Sequence, residues 1–218
     1  MKLLLTSAGI YNKSIAKALL KLLGQPFKKS SMIYITTASN IDGGDKSWLI
    51  DDLVNFKKLG FASIDIIDIA AVNKDIYLPR LEVANVIVFG GGNEAYLMAQ
   101  IKKSGLQEIL PSLLKNKVYV GISAGSMVAS EKLSNEISLE IFGEDITKYK
   151  IKKALGFINF QICPHLNSPH FAKNKVKNVD KIAQRLKETI YTIDNNTAIA
   201  VTGGKIEIIS EGKWYKFN

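Results

Sequence analysis

The chain has 218 residues, of which 47% are hydrophobic and 22% are charged. This composition is ordinary for a globular protein and excludes a disordered or fibrous chain, and the length suits one domain over residues 1–218. The net charge is +9, but the lysines are dispersed singly or in pairs without interleaved aromatic residues. That pattern argues against a nucleic-acid surface. No apolar run approaches the roughly 20 residues that cross a bilayer.

Cysteine and histidine are scarce. The sequence has one cysteine, Cys163, and two histidines, His165 and His170. A single cysteine cannot form an internal disulfide, and these residues are too few for a structural zinc site. We therefore expect a cytoplasmic protein with no metal ion and no other cofactor. Nucleic acid and membranes are not expected partners, and a homodimer is left open.

Short apolar runs alternate with amphipathic segments in the first part of the chain. The predicted strands are 2–7, 31–37, 63–69, 85–89 and 117–122, and the predicted helices are 12–23, 47–59, 94–103 and 124–130. Asn93 is the expected N-cap of the third helix. Such alternation is typical of right-handed β-α-β units. It predicts an α/β fold with a mostly parallel sheet and helices on both faces.

The second part of the chain is less regular. An apolar stretch predicts a strand over 154–163, and a basic segment predicts a helix over 174–190. Short strands are predicted over 191–194, 198–201 and 205–210, and an aromatic strand at the tail includes Trp214, Tyr215 and Phe217. In parallel sheets, ligands bind beyond the carboxyl ends of the strands. Residues 90–93 and Ser123 are both expected at that edge.

The segment Gly121-Ile122-Ser123-Ala124-Gly125 has the Gly-x-Ser-x-Gly pattern between a predicted strand and a predicted helix. Flanking glycines allow a strained turn that projects the serine hydroxyl. A serine nucleophile needs a base. His165 directly follows a predicted strand, whereas His170 lies further into a loop and is interpreted as a surface residue. Ser123 and His165 are therefore the predicted nucleophile and base.

The run Gly90-Gly91-Gly92 can present backbone N–H groups without hindrance from side chains. Together with the amide of Ala124, it predicts an oxyanion hole. Gly92 and Asn93 are predicted to line the substrate site. The alternative is nucleotide or phosphate binding by residues 90–93, although neither a Gly-x-Gly-x-x-Gly pattern nor the spacing of a Walker lysine is present.

Three segments resemble the aspartyl dipeptidase (peptidase E) and cyanophycinase family of serine peptidases: Phe89–Asn93, Gly121–Gly125 and Cys163-Pro164-His165. The resemblance covers most of the chain. It implies a fold like that of class I glutamine amidotransferases, a flavodoxin-like three-layer sandwich. It also implies hydrolysis of small peptides through an acyl-enzyme, with Ser123 as nucleophile, His165 as base, and the amides of Gly91 and Ala124 as the oxyanion hole.

The third catalytic position is open at this stage. Family members tend to place a glutamate just after a late strand, and the resemblance puts Asn195 there. The adjacent acid is Asp194, but neighbouring strand residues point to opposite faces, so it does not simply inherit the role. Asn195 and Asp194 are the two candidates for the partner of His165. A neutral amide does not stabilise an imidazolium as a carboxylate does. The second hypothesis is therefore a peptide-binding homologue with weak or no catalysis.

Substrate recognition is the least determined feature. The resemblance implies that Glu136 holds the free α-amino group of a substrate, with an exposed loop acid as the alternative interpretation. The dipeptidases bind a substrate aspartate with an arginine, and neither Arg80 nor Arg185 matches it clearly. The resemblance therefore does not imply aspartyl specificity.

Overall fold

A computed structural model describes the whole chain, residues 1–218. The strands are β1 Lys2–Thr6, β2 Ser31–Ile35, β3 Ser63–Ile67, β4 Val86–Phe89, β5 Val118–Ile122, β6 Gln161–Cys163, β7 Ile190–Ile193, β8 Thr197–Thr202, β9 Lys205–Ser210 and β10 Trp214–Phe217. The helices are α1 Lys13–Leu23, α2 Ser47–Lys58, α3 Lys74–Val83, α4 Glu94–Lys103, α5 Leu106–Leu113, α6 Ala124–Met127, α7 Asn135–Ile137 and α8 Val176–Leu186. None of these helices has the length and apolar character needed to cross a membrane.

Seven strands form the main sheet, in the order β3-β2-β4-β5-β1-β8-β9. The strands from β3 to β1 in this order pair in parallel, and β8 and β9 continue the sheet in antiparallel fashion. The predicted mostly parallel α/β fold is confirmed. A second sheet has the order β10-β7-β6, with β6 parallel to β7. The sequence did not indicate that the late strands divide between two sheets.

Both faces of the main sheet are buried, which explains its continuously apolar strands. In β1, Leu3 and Leu5 belong to one hydrophobic cluster, while Leu4 belongs to the cluster on the other face. In β4, Ile87 and Val88 alternate in the same way. Each fully buried side chain of this kind contributes about 2 kcal/mol through removal of apolar surface from water. Helices therefore cover both faces, as the predicted three-layer arrangement requires.

Three predicted elements are wrong in extent by three residues or more, and one of them is the helix predicted over 124–130, of which only 124–127 is helical. Only 161–163 of the predicted strand 154–163 is a strand, because the backbone N–H groups of Leu155 and Phe157 donate to the carbonyls of Val128 and Ala129 rather than to a neighbouring strand. The predicted helix 174–190 is confined to 176–186, because Lys187 adopts a left-handed conformation with φ 55°. The chain then enters β7.

Helices α3 and α5 were not predicted from the sequence. Each contains a proline, Pro79 in α3 and Pro111 in α5. Proline lacks a backbone N–H donor and is therefore normally unfavourable in the interior of a helix. Packing overrides this local preference, since Tyr77 and Leu81 of α3 and Leu110 of α5 are fully buried in the core.

A buried carboxyl group lies beneath two of the loops at the carboxyl edge of the main sheet. Asp52 of α2 is 7% exposed and accepts a hydrogen bond from the hydroxyl of Tyr34 at 3.1 Å. A Cβ atom on Gly9 would lie 2.8 Å from Asp52 Oδ1, and one on Gly90 would lie 2.7 Å from the Tyr34 hydroxyl oxygen. Burial raises the pKa of Asp52 to about 7, Asp51 adds to the rise, and the Tyr34 hydrogen bond opposes it.

This carboxyl group predicts a specific dependence of stability on pH. Because the pKa of Asp52 is raised in the folded state, the folded protein binds the proton more tightly than the unfolded chain does. Its contribution to the free energy of unfolding is therefore present at about pH 4 and is lost as the pH rises to about 7. We expect the stability of Asp52→Asn relative to the unaltered protein to increase by about 2 kcal/mol between pH 5 and pH 8 in urea unfolding.

The control is Asp75→Asn, which removes an exposed carboxyl group from a different helix, α3. Its stability relative to the unaltered protein should change little over the same pH range. Parallel pH profiles for Asp52→Asn and the unaltered protein would contradict the prediction.

Candidate active site

The two sheets meet at the site. Main-sheet strands β1 and β5 end side by side, with Thr6 paired to Ile122, so that Ser7 and Ser123 emerge at the same edge. His165 follows β6 and Asn195 follows β7, and both of these strands belong to the small sheet. Since β7 belongs to the small sheet and β8 pairs with β1, the turn that carries Asn195 joins the two sheets.

Ser123 occupies a strained turn between β5 and α6. Its φ is 48° and its ψ is −108°, an uncommon conformation for a residue with a Cβ atom. A Cβ atom on Gly125 would lie 2.0 Å from the carbonyl oxygen of Phe89, and one on Gly121 would lie 2.6 Å from that of Gly125. The two glycines of the motif are therefore required by close backbone packing around the serine.

His165 lies between Ser123 and Asn195. Its Nε2 is 2.9 Å from Ser123 Oγ, and its Nδ1 is 3.0 Å from Asn195 Oδ1. The backbone at His165 has φ 64°. Its N–H donates to Ser7 Oγ at 2.7 Å, and that of Leu166 donates to the carbonyl of Ile193 at 3.0 Å. The contact predicted between Ser123 and His165 is present.

Asp194 does not share this arrangement. Its Oδ1 accepts hydrogen bonds from the backbone N–H of Asn196 and from Thr197 Oγ1, and its Oδ2 accepts one from the N–H of Lys213. No hydrogen bond joins it to the imidazole. Of the two candidates, Asn195 rather than Asp194 therefore lies against the imidazole, because the backbone N–H groups of Asn196 and Lys213 already occupy the carboxylate of Asp194.

The electrostatic environment favours a neutral imidazole. Burial lowers the pKa of His165, a hydrogen bond with Asn195 acts in the opposite direction, and the charge of His170 lowers the pKa further. When the neutral ring is protonated at Nδ1, its N–H donates a hydrogen bond to Asn195 Oδ1 and the Nε2 lone pair faces Ser123 Oγ. This is the arrangement that a general base requires.

Two backbone amides beside Ser123 are free to donate. A Cβ atom on Gly91 would lie 3.6 Å from the Cβ of Ser123, and Ala124 is the next residue in the chain. Neither the N–H of Gly91 nor that of Ala124 donates to another group of the protein. Both can therefore donate to an oxygen atom held at the serine, as predicted for an oxyanion hole.

Comparison with known proteins gives a consistent result. The sequence profile described as peptidase family S51 matches residues 3–209. The chain belongs to this family. It is 30% identical over 148 residues to an uncharacterized peptidase of Listeria innocua, covering 66% of this chain and 68% of that protein. It is 31% identical over 93 residues to peptidase E of Streptomyces coelicolor, covering 42% of this chain and 36% of that protein.

Solved structures show the same fold. The crystal structure of a peptidase E candidate from Listeria monocytogenes EGD-e has a TM-score of 0.75 and 23% identity, and the match covers 97% of this chain and 98% of that one. A peptidase from an acI-B1 Actinobacterium has a TM-score of 0.71 and 20% identity, covering 98% and 88%. This S51 family member is a peptidase, and the predicted resemblance to the peptidase E family is confirmed.

The rest of the glycine loop in this S51 peptidase has structural contacts. A Cβ atom on Gly92 would lie 2.2 Å from the carbonyl oxygen of Ala38, and the N–H of Asn93 donates to the same carbonyl at 2.9 Å. Asn93 Oδ1 accepts from the N–H of Tyr96, and its Nδ2 donates to Glu144 Oε2. The predicted N-cap is confirmed. The expected role of Gly92 and Asn93 in binding substrate stays a prediction.

Glu136 and His170 lie outside the Ser123–His165 contact. Glu136 is in α7, where its Oε2 accepts a hydrogen bond from Ser134 Oγ at 3.1 Å. No hydrogen bond or ion pair connects it to Ser123 or His165. Its proposed contact with a substrate amine stays a prediction. His170 is exposed, in agreement with its interpretation as a surface residue.

Sequence reasoning missed Ser7 and Phe171. Ser7 is fully buried, and its Oγ donates to Asn195 Oδ1 at 2.9 Å while lying 3.3 Å from His165 Nδ1. The available signal was a small polar residue directly after a buried strand, at the edge where ligands bind. The ring of Phe171 lies 5.2 Å from that of His165, centroid to centroid, and nothing in the sequence pattern indicates this contact.

Proposed function

We propose that this peptidase is of the serine type and hydrolyses small peptides through an acyl-enzyme, with Ser123 as nucleophile and His165 as general base. The observation that carries the proposal is the 2.9 Å contact between Ser123 Oγ and His165 Nε2, in the strained turn of a Gly-x-Ser-x-Gly motif. Two relatives of this chain are named peptidase E, which supports peptide hydrolysis.

In the first half-reaction, Ser123 Oγ attacks the peptide carbonyl carbon and its proton passes to His165 Nε2. The carbonyl oxygen becomes an oxyanion, which accepts hydrogen bonds from the amides of Gly91 and Ala124. Collapse of the tetrahedral intermediate breaks the C–N bond, and the imidazolium returns the proton to the leaving amine. An ester between Ser123 and the acyl part of the substrate remains.

In the second half-reaction, water attacks the ester carbon and gives a proton to His165 Nε2. Breakdown of the second intermediate releases the carboxylic acid, and the same proton returns to Ser123 Oγ. Asn195 Oδ1 accepts a hydrogen bond from the Nδ1–H group throughout, which holds the ring orientation. Because burial lowers the pKa of His165, the neutral base persists to a lower pH than for an ordinary histidine.

Two other functions receive less support. Asn195 supplies no negative charge to the imidazolium, which favours a weakly catalytic peptide-binding protein as the second candidate. Phosphate binding by the glycine loop is disfavoured, because the N–H groups of Gly90 and Asn93 already donate to the carbonyls of Ile35 and Ala38. Within that loop, only the N–H groups of Gly91 and Gly92 remain available to bind a phosphate.

The test combines turnover with active-site labelling. The protein is incubated with a panel of dipeptides and tripeptides, and released amino acids are measured by chromatography. In parallel, a fluorophosphonate probe is added and the modified residue is mapped by mass spectrometry. Turnover with modification at Ser123 supports the proposal. Binding of peptides in calorimetry without turnover or labelling would favour the peptide-binding alternative.

A further inference from the structure

Trp48 lies beside the proposed oxyanion hole. It occupies the first turn of α2 and is 38% exposed. A Cβ atom on Gly91 would lie 3.4 Å from Trp48 Cζ3 and 3.6 Å from Ser123 Cβ. Trp48 Cζ3 and Ser123 Cβ thus both lie beside the position that a Cβ atom on Gly91 would occupy. The distance between these two atoms is at most the sum of the two distances just given.

A peptide whose carbonyl oxygen accepts a hydrogen bond from the N–H of Gly91 binds beside that position, because the N–H and the Cβ position belong to the same residue. The surface it meets there is an aromatic edge, which gains free energy by burying an apolar partner. The ammonium group of Lys46 lies 5.8 Å from the centre of the Trp48 ring and is the one cation placed against it. No guanidinium group competes, because Arg80 pairs with Asp65 and Arg185 with Glu140.

From this geometry we infer that Trp48 forms a subsite for an apolar or aromatic side chain next to the scissile bond. The inference rests on the proposed function and adds a substrate class to it. The preferred substrates are small peptides with Phe or Leu at one of the two positions that flank the cleaved bond. Peptides with Asp at that position are poorer substrates, since the carbon edge of the indole at Cζ3 offers a carboxylate no hydrogen bond.

The kinetic test uses two dipeptide series, X-Leu and Leu-X, with X as Ala, Leu, Phe or Asp. In one series, kcat/KM for Phe should exceed that for Ala by about 10- to 100-fold, the discrimination a hydrophobic pocket can provide. Trp48→Ala should abolish this ratio by lowering kcat/KM for the Phe peptide, while Trp48→Phe should retain most of it. Trp214→Ala, which changes a similarly exposed tryptophan on β10, should not alter the ratio.

A binding measurement separates this inference from the proposed function. The chain has two tryptophans, so Trp214→Phe leaves Trp48 as the sole indole fluorophore. In the double variant Ser123→Ala, Trp214→Phe, titration with a Phe-containing dipeptide should shift Trp48 fluorescence, and the matching Ala dipeptide should bind at least about 10-fold more weakly. An unchanged Phe/Ala ratio in Trp48→Ala would overturn the subsite, as would preference for Asp peptides through Lys46. If no peptide is cleaved, the proposed function fails while the titration still decides the subsite.

A second inference comes from the hydrogen bonds of Ser7. Its Oγ accepts from the backbone N–H of His165 at 2.7 Å, which leaves its own proton to be donated. Two acceptors are within reach, Asn195 Oδ1 at 2.9 Å and His165 Nδ1 at 3.3 Å. A carboxamide oxygen has two lone pairs, so Asn195 Oδ1 can accept from both Ser7 and the Nδ1 proton of His165.

The reversed carboxamide would satisfy these groups less well. With the NH₂ of Asn195 turned toward the ring, His165 Nδ1 would be the single acceptor for both an amide proton and the Ser7 hydroxyl. Nε2 would then carry the ring proton and could not accept one from Ser123. We infer that Ser7 is a positioning residue that fixes the Asn195 carboxamide and thereby the productive tautomer of His165.

The test reads the tautomer directly. In protein labelled with ¹⁵N at histidine, His170→Gln leaves His165 as the sole histidine, and its Nδ1 should be protonated and its Nε2 free. Ser7→Ala should produce a mixture of tautomers and lower kcat by about 10- to 100-fold with little change in KM. Ser130→Ala removes another buried hydroxyl, one that donates to the carbonyl of Phe160, and should leave both readouts unchanged.

A second background distinguishes positioning from general support of the structure. In Asn195→Asp the partner has no N–H to reverse, so Ser7→Ala should not alter the tautomer and should cost much less in kcat. Equal losses in both backgrounds would overturn the positioning role, as would an unaltered tautomer in Ser7→Ala. Neither outcome bears on whether Ser123 is the nucleophile.

Discussion

Ser123→Ala is expected to lower kcat/KM on small peptides by about 10³-fold or more and to abolish labelling by a fluorophosphonate. The reason is that the hydroxyl supplies the atom that forms the acyl-enzyme. In enzymes with a complete Ser-His-Asp triad the corresponding loss is about 10⁶-fold in kcat. We expect a smaller loss here, since Asn195 does not add a negative charge behind the imidazole.

The control is Ser126→Ala, three residues along the same turn. Ser126 Oγ is buried and donates to the carbonyl of Thr6 at 2.8 Å, away from His165. Its loss should cost about 1 kcal/mol of stability and change activity by only a few-fold. Full hydrolysis by purified Ser123→Ala, after contaminating peptidases are excluded by a mock preparation, would remove Ser123 from the mechanism.

Asn195→Asp is expected to raise kcat/KM by about 10- to 100-fold. A carboxylate at this position would keep the hydrogen bonds to His165 and Ser7 and would stabilise the imidazolium formed in the transition state. The reverse change in a complete triad lowers kcat by about 10⁴-fold. The gain here should be smaller, because a carboxylate placed in a partly buried turn loses solvation.

The same variant should change the pH profile in a defined direction. Burial lowers the pKa of His165, so the acid limb of kcat/KM in the unaltered protein should fall below the ordinary histidine value of about 6.5. A neighbouring carboxylate favours the protonated ring, so in Asn195→Asp the acid limb should move to higher pH by about 1 unit or more. Its measurement requires kcat/KM from about pH 4 to pH 9.

Asn196→Asp serves as the control, because it adds the same charge one residue along without a contact to the imidazole. It should shift the acid limb by much less and leave the plateau rate nearly unchanged. Lower activity in Asn195→Asp, with an unmoved acid limb, would show that the carboxamide itself is needed.

The sequence was sufficient for the motifs and for most of the main sheet. The apolar run of β5 and the glycines around Ser123 are adjacent in the sequence. Their pattern alone therefore predicts a strained turn at Ser123. His165 could be selected because it directly follows a predicted strand. That strand, β6, belongs to the small sheet, so the contact of His165 with Ser123 also depends on how the two sheets meet.

The choice between Asp194 and Asn195 was decided by tertiary structure. Both residues follow the same strand, and an acid is the more usual partner for a catalytic histidine. The carboxylate of Asp194 accepts hydrogen bonds from the N–H groups of Asn196 and Lys213, whereas the side chain of Asn195 faces the imidazole ring. Local sequence does not show which of two adjacent side chains will form hydrogen bonds with nearby backbone N–H groups and which will be left to face the histidine.

The sequence by itself therefore determined the α/β class and the glycine-flanked turn at Ser123, because each depends on residues close together in the chain. Only the tertiary structure decided the surroundings of His165. Ser7 is 158 positions from His165, and Trp48 reaches Gly91 from a different layer of the fold. Contacts at such separations depend on how strands and helices pack against one another, and no local periodicity encodes that packing.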